Sequence, residues 1–156
     1  MSCIAVGADH AGYRYKQILA DHLRDAGHQI IDLGTDGPQS VDYPDYARAV
    51  AEAVARGEAE RGLLVCGSAV GVCMVANKVP GIRAGVCHDT YSAHQAVEHD
   101  DMNVLCLGER VIGIAVAVEV TDTFLAARFA DEERHRRRLD KLLAVEGDYM
   151  SQRTEN

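Results

Sequence analysis

The sequence predicts an α/β domain in which five parallel strands form one sheet with helices packed on both faces. Two observations carry this. Short apolar runs alternate with helix-patterned segments along the chain, as successive right-handed βαβ units do. Glycine, proline and aspartate punctuate the joints between them. No linker or low-complexity stretch interrupts the alternation, so the 156 residues read as a single domain, residues 1–156. That length suffices for one core.

The elements follow in order. Cys3 to Gly7 is an apolar run that feeds a helix through the polar turn Ala8-Asp9-His10-Ala11-Gly12. That helix carries Tyr15, Ile18, Leu19, His22 and Leu23 on one face and stops at Gly27. A strand at Gln29 to Leu33, a loop from Gly34 to Pro44 and an Ala-rich helix from about Asp45 to Arg56 come next. Leu63 to Cys66 is a strand, Gly67 to Gly71 a Gly-rich turn, and Val72 to Lys78 a helix stopped by Pro80-Gly81. A strand at Ile82 to Cys87, a helix at Thr90 to Val97 and a strand at Asn103 to Leu107 complete the sheet. Two helices close the chain, about Ile112 to Ala130 and Glu132 to Val145, and the end from about residue 148 to 156 is expected as a flexible tail.

Composition narrows the function. Sixteen Lys+Arg against 24 Asp+Glu give a net charge of −8, which would repel a phosphate backbone or an anionic membrane at long range. Nucleic acid and membrane partners are therefore not expected, although a local basic site for a small anion is compatible. The most apolar stretch, Val111 to Val120, is too short to span a bilayer. The five cysteines are odd in number and contain no C-x-x-C pair, which fits neither a disulfide framework nor a zinc ribbon. With no signal peptide evident, a reducing cytoplasm is expected.

The helix after Gly113 carries Ile114, Val116, Val118, Val120, Phe124, Leu125 and Phe129, and is apolar on more than one side. Its second face meets either the chain's own core or another subunit, for which a two-fold dimer is the default symmetry.

Ligands of open parallel sheets sit at the carboxyl ends of the strands. The residues there are Asp9 and His10, then Cys66, Gly67, Ser68, Ala69, Val70 and Gly71, then His88 and Asp89, and finally Gly108, Glu109 and Arg110. Gly67 and Gly71 let backbone approach a ligand, and the following helix turns free N–H groups into the same space. A thiol at the mouth of such a cradle is favoured as thiolate. The alternative, a small hydrophobe ending a buried strand, stays open for Cys66. Walker and dinucleotide loops are absent, and Val72 stands where a Cys-phosphatase loop needs arginine.

The basic cluster Arg134-His135-Arg136-Arg137-Arg138 places Arg134 and Arg138 four apart on one helix face. It is either a solvated helix end or a guanidinium clamp on a phosphate monoester. His94 and His99 are five apart, a spacing that does not suit a metal pair on one helix face. His99 is either a proton-transfer group or a surface histidine.

Together, Gly7-Ala8-Asp9-His10-Ala11-Gly12-Tyr13, Asp42-Tyr43-Pro44, Cys66-Gly67-Ser68, Ala76-Asn77-Lys78 and Gly81-Ile82-Arg83-Ala84 strongly resemble the B-type ribose-5-phosphate isomerases. So do Tyr91-Ser92-Ala93, Glu98-His99-Asp100, Gly108-Glu109-Arg110-Val111 and Arg134-His135. That family also contains galactose-6-phosphate and allose-6-phosphate isomerases. The resemblance runs from about Ile4 to Leu143. It implies a Rossmann-like three-layer sandwich, a homodimer with sites shared between subunits, and cofactor-free, metal-free interconversion of an aldose phosphate and a ketose phosphate. Whether dimers pair into tetramers stays open.

By the same resemblance, Cys66 is the base, His99 helps open the sugar ring and Asp9 assists. The turn of Gly67, Ser68, Ala69, Val70 and Gly71 holds an enediolate. His10, Arg110, Arg134 and Arg138 secure phosphate and hydroxyls, and Tyr43 lines the pocket. A branch of the family uses a glutamate just after the turn. That position is Val72 here, so Cys66 has no rival.

Two departures bear on the sugar. Ala69 replaces the usual glycine of the turn, and Asp100 the usual asparagine. The expected substrate is ribose 5-phosphate. A four- to six-carbon sugar phosphate under the same chemistry, or a non-catalytic phosphate-binding module, are the alternatives. The other four cysteines are read as packing residues.

Overall fold

A computed structural model describes residues 1–153 of the chain. The elements run β1 (Cys3–Ala8), α1 (Tyr13–Asp25), β2 (Gln29–Asp32), α2 (Tyr43–Ala55), β3 (Arg61–Cys66), α3 (Val70–Ala76), β4 (Ala84–Val86), α4 (Thr90–Asp100), β5 (Val104–Gly108), α5 (Ile114–Ala126) and α6 (Glu133–Arg153). The five strands form one sheet in the order β2-β1-β3-β5-β4, and every pairing is parallel. The predicted α/β class and five-stranded parallel sheet are therefore observed.

Side chains alternate across the sheet as strand geometry requires. Ile4, Val6, Ala8, Leu63, Val65, Leu105 and Leu107 face one core with α1, α4 and α5. Ala5, Leu64, Cys66, Val104 and Cys106 face the other, with α2 and α3. The result is a helix–sheet–helix sandwich in which all three central strands are buried on both sides, which is why they read as unbroken apolar runs.

Several boundaries differ from expectation for local reasons. Helix α2 starts at Tyr43 because Pro44 is accommodated in the first turn, where its missing N–H costs nothing. Strand β4 is only Ala84–Val86. Ile82 N donates to Val79 O and Arg83 N to Asn103 Oδ1, so neither residue joins the ladder. Helix α5 stops at Ala126, where Ala127 turns extended. Helix α6 continues through Arg153, which corrects the expected tail: residues 148–153 are helical, and 154–156 lie outside the described residues. Only His135 of α6 is buried. A groove of about 1210 Å³ runs between α6 and the β4 edge, walled by Ile82, Gly85, Met102, Leu142, Val145 and Tyr149.

One ion pair was not legible from the sequence. Lys16 on the buried face of α1 is 1% exposed and donates from Nζ to Asp32 Oδ1 at 2.7 Å. The same oxygen accepts the Gly34 N–H, and Gly34 O in turn accepts from Ala8 N at the end of β1. Substituting Lys16→Met removes the ammonium partner of the solvent-accessible Asp32 carboxylate and lowers stability by about 1 kcal/mol. The check is the denaturant midpoint. An unchanged midpoint would show that the pair contributes nothing net.

Candidate active site

The order of strand addition reverses beside β1, since β2 lies on one side of it and β3 on the other. The crevice outside the carboxyl ends of β1 and β3 is therefore the switch point where open α/β sheets bind ligands. Asp9 and His10 leave β1 at this point, and Cys66 ends β3.

The turns are locked to one another by backbone bonds. Glu109 N donates to Cys66 O at 2.9 Å and Arg110 N to Gly67 O at 3.1 Å, so the turn after β5 clamps the turn after β3. Gly12 must be glycine here, because a Cβ would sit 2.3 Å from Val65 O and 2.8 Å from Cys66 N. The Asp9 carboxylate, nearly buried, accepts the N–H groups of Ala11 and Gly12 through Oδ1 and so fixes its own turn. His10 Nδ1 accepts from Val41 N at 3.2 Å, which leaves Nε2 as the protonated nitrogen in the neutral ring.

Within the Gly-rich turn, Ala69 N donates to Cys66 Sγ at 3.1 Å and Val70 N to Ser68 Oγ at 3.3 Å. Ala69 holds a left-handed backbone, φ 73°, while fully buried. An L-residue pays about 1 kcal/mol for that conformation, so the departure from glycine leaves the turn shape in place at an energetic cost. Val70, expected in the turn, is the first residue of α3. Tyr43 lies over Gly71, where a Cβ would come within 2.8 Å of the ring. Arg110 is exposed, and its Nη1 is 3.3 Å from where a Cβ on Gly67 would stand. One edge thus brings together Asp9, His10, Tyr43, Cys66, the 67–71 turn and Arg110.

His88 belongs to this edge as well, although no motif singled it out. Its Nε2 accepts the Gly108 N–H at 2.9 Å and braces the turn that carries Arg110. Burial lowers its pKa, which keeps that nitrogen free to accept. Its place directly after a strand was the available signal.

His99, Asp100, Arg134 and Arg138 lie elsewhere. Helix α4 runs back along the sheet, so its last turn lies at the amino ends of the strands. There Asn103 O accepts from Gly62 N at the start of β3. Gly62 and Cys66 are four residues apart on β3, a rise of about 13 Å. His99 Nδ1 accepts from Gln95 Nε2 at 3.0 Å, and its ring stacks on His135 with centroids 4.2 Å apart. His135 is buried with neither ring nitrogen hydrogen-bonded. Burial lowers its pKa, with His99 and Arg134 adding to the effect. Arg134 pairs with Glu132 at 3.2 Å on the exposed surface, and Asp100 and Arg138 are exposed. The structure therefore places the predicted residues in two groups, with His99 and Cys66 at opposite ends of the strands within one chain.

Comparison with known proteins places these residues in a family. A model of the Ribose/Galactose Isomerase family matches residues 4–142. Ribose-5-phosphate isomerase B of Escherichia coli (strain K12) is 43% identical over 146 residues, spanning 94% of this chain and 97% of its own length. D-erythrulose-4-phosphate isomerase of Pectobacterium atrosepticum is 44% identical over 131 residues, 83% of this chain and 86% of its own. The solved ribose-5-phosphate isomerase B of Clostridium thermocellum superposes with a TM-score of 0.92 at 48% identity, covering 94% of this chain and 99% of that one. Since the family match takes in the whole sheet and both groups of candidate residues, from Asp9 to Arg138, the chain belongs to the Ribose/Galactose Isomerase family.

Proposed function

We propose that this isomerase interconverts ribose 5-phosphate and ribulose 5-phosphate through an enediolate, in a site completed by a second copy of the chain. The observation that carries the reading is the Cys66 turn. A thiol, fixed amides, a carboxylate and an arginine meet at the sheet's switch point, the groups that an aldose–ketose proton transfer on a sugar phosphate calls for. His99 from the other copy opens the sugar ring, assisted by Asp9. Cys66 then acts as the general base that removes the proton from C2 of the open-chain aldose and returns one to C1. Ser68 and the backbone amides of residues 67–71 supply fixed donors to the developing oxyanion. His10 and Arg110 of one chain, with Arg134 and Arg138 of the other, hold the phosphate and hydroxyls. These are proton transfers, and none of them draws on a redox cofactor or a metal.

A second copy is supported by geometry, because the chain just after the His99 turn of α4 meets the start of β3, about 13 Å of strand rise from Cys66 within one chain. It is supported as well by exposed apolar side chains on α3, α4 and α6, among them Met74, Tyr91 and Tyr149 at 62%, 67% and 68% exposure.

The 44% identity to an erythrulose-4-phosphate isomerase favours a second reading, the same chemistry on a four-carbon sugar. Ala69 and Asp100 are the positions where this chain departs from the expected pattern. A panel of four-, five- and six-carbon aldose and ketose phosphates compared by kcat/KM decides between them. Ribose 5-phosphate is expected to exceed the four- and six-carbon sugars by about 10-fold or more, the range one methylene commands. A higher kcat/KM for another length would overturn the pentose assignment.

A further inference from the structure

Helix α6 buries one side chain, His135, which is 2% exposed. Among the described residues neither of its ring nitrogens has a hydrogen-bond partner. The Glu132 carboxylate stays 3.9 Å from Nε2, beyond hydrogen-bond reach. Burying an imidazole in this way costs the fold, and an aliphatic side chain of similar size would pack there without that cost. Stability is therefore not what His135 supplies.

Its contact with α4 supplies the reason. The His135 ring lies against the His99 ring with centroids 4.2 Å apart and planes 22° from parallel. Backbone bonds hold the two segments together: Ala130 N donates to Glu98 O at 2.9 Å, one residue before His99, and His135 N donates to Glu132 O at 3.0 Å. Gln95 Nε2 meets His99 Nδ1 at 3.0 Å. One hydrogen bond fixes an edge of an imidazole but not its plane, because the second side-chain torsion of histidine is broad. A ring stacked on its face removes the remaining freedom. Burial lowers the His135 pKa, and His99 from α4 with Arg134 and Arg138 from α6 lower it further, against the raising effect of Glu132. The ring therefore stays neutral and presents an uncharged π face to a partner that gains a proton.

We propose that His135 is a positioning residue for His99, its ring setting the plane of the His99 ring so that Nε2 points at the sugar-ring oxygen. This rests on the reading of His99 as the ring-opening group. The role needs neither contact with substrate nor access from solvent.

The test compares His135→Leu, which removes the flat ring at similar volume, with His135→Phe, which keeps one. Both are followed by steady-state kinetics on ribose 5-phosphate and by thermal melts. His135→Leu is expected to lower kcat by about 10- to 100-fold, the scale of a misplaced catalytic group, with KM little changed and a melting temperature no lower than wild type. His135→Phe restores most of that loss. Adding His135→Leu to His99→Ala costs nothing further, since the positioned group is already gone. A His135→Leu protein with wild-type kcat would overturn the proposal, as would a rise in KM alone, which marks a binding contact. So would a folded His135→Phe protein as slow as His135→Leu, or additive losses in the double variant. If His99→Ala itself keeps wild-type turnover, the ring-opening reading fails and the proposal falls with it. If His99→Ala is slow and His135→Leu is not, only the positioning role fails.

Discussion

Substituting Cys66→Ser is expected to lower kcat by about 10²–10⁴-fold, the range of a general base, with KM little changed. The serine hydroxyl still accepts the Ala69 amide that Cys66 Sγ now receives at 3.1 Å, so the turn keeps its shape and the loss is chemical. Cys66→Ala removes the acceptor as well and leaves that amide without a partner, at a further cost in stability of about 1–3 kcal/mol. The pair of variants therefore separates chemistry from folding. Steady-state kinetics with circular dichroism provide the check, and Cys66→Ser retaining more than a tenth of wild-type turnover would exclude the thiol as base.

The second large effect concerns His99. The aldose is mostly a closed ring in solution, whereas the five-carbon ketose phosphate is open-chain, so only the aldose needs a group to open it. His99→Ala is expected to slow turnover of ribose 5-phosphate by about 10²-fold or more and to affect the ketose direction far less. Gln95 and His135 hold the ring that would do this, one at Nδ1 and the other by stacking. With Nδ1 accepting, Nε2 is the nitrogen left to exchange a proton with the sugar oxygen. Equal losses in both directions would assign His99 to the C1–C2 proton transfer instead.

The sheet was legible because its strands are buried on both faces. An unbroken run such as Leu63 to Cys66 has no second interpretation when bounded by glycine. The candidate cradle was legible for a related reason: an open parallel sheet places its polar residues after each strand, and Asp9, Cys66 and Arg110 all fall there. The end of α6 was not, because Gly147 and the polar residues around it mask the stripe that continues from Leu142 through Val145 to Tyr149. The Lys16–Asp32 pair was hidden because helical periodicity assigns a lysine to solvent by default.

What the sequence could name but not locate was the second group of candidate residues. His99 and the arginines carry the residue types for ring opening and phosphate binding, yet α4 delivers His99 to the wrong edge of its own sheet. A site shared between two copies makes a demand that no single-chain site makes. Cys66→Ala and His99→Ala variants, each inactive alone on ribose 5-phosphate, should complement when unfolded together and refolded as a mixture. Random pairing makes half of the dimers mixed, and each mixed dimer holds one intact site of two, so about a quarter of wild-type activity returns. A mixture that stays as inactive as its components would contradict a site built from two chains.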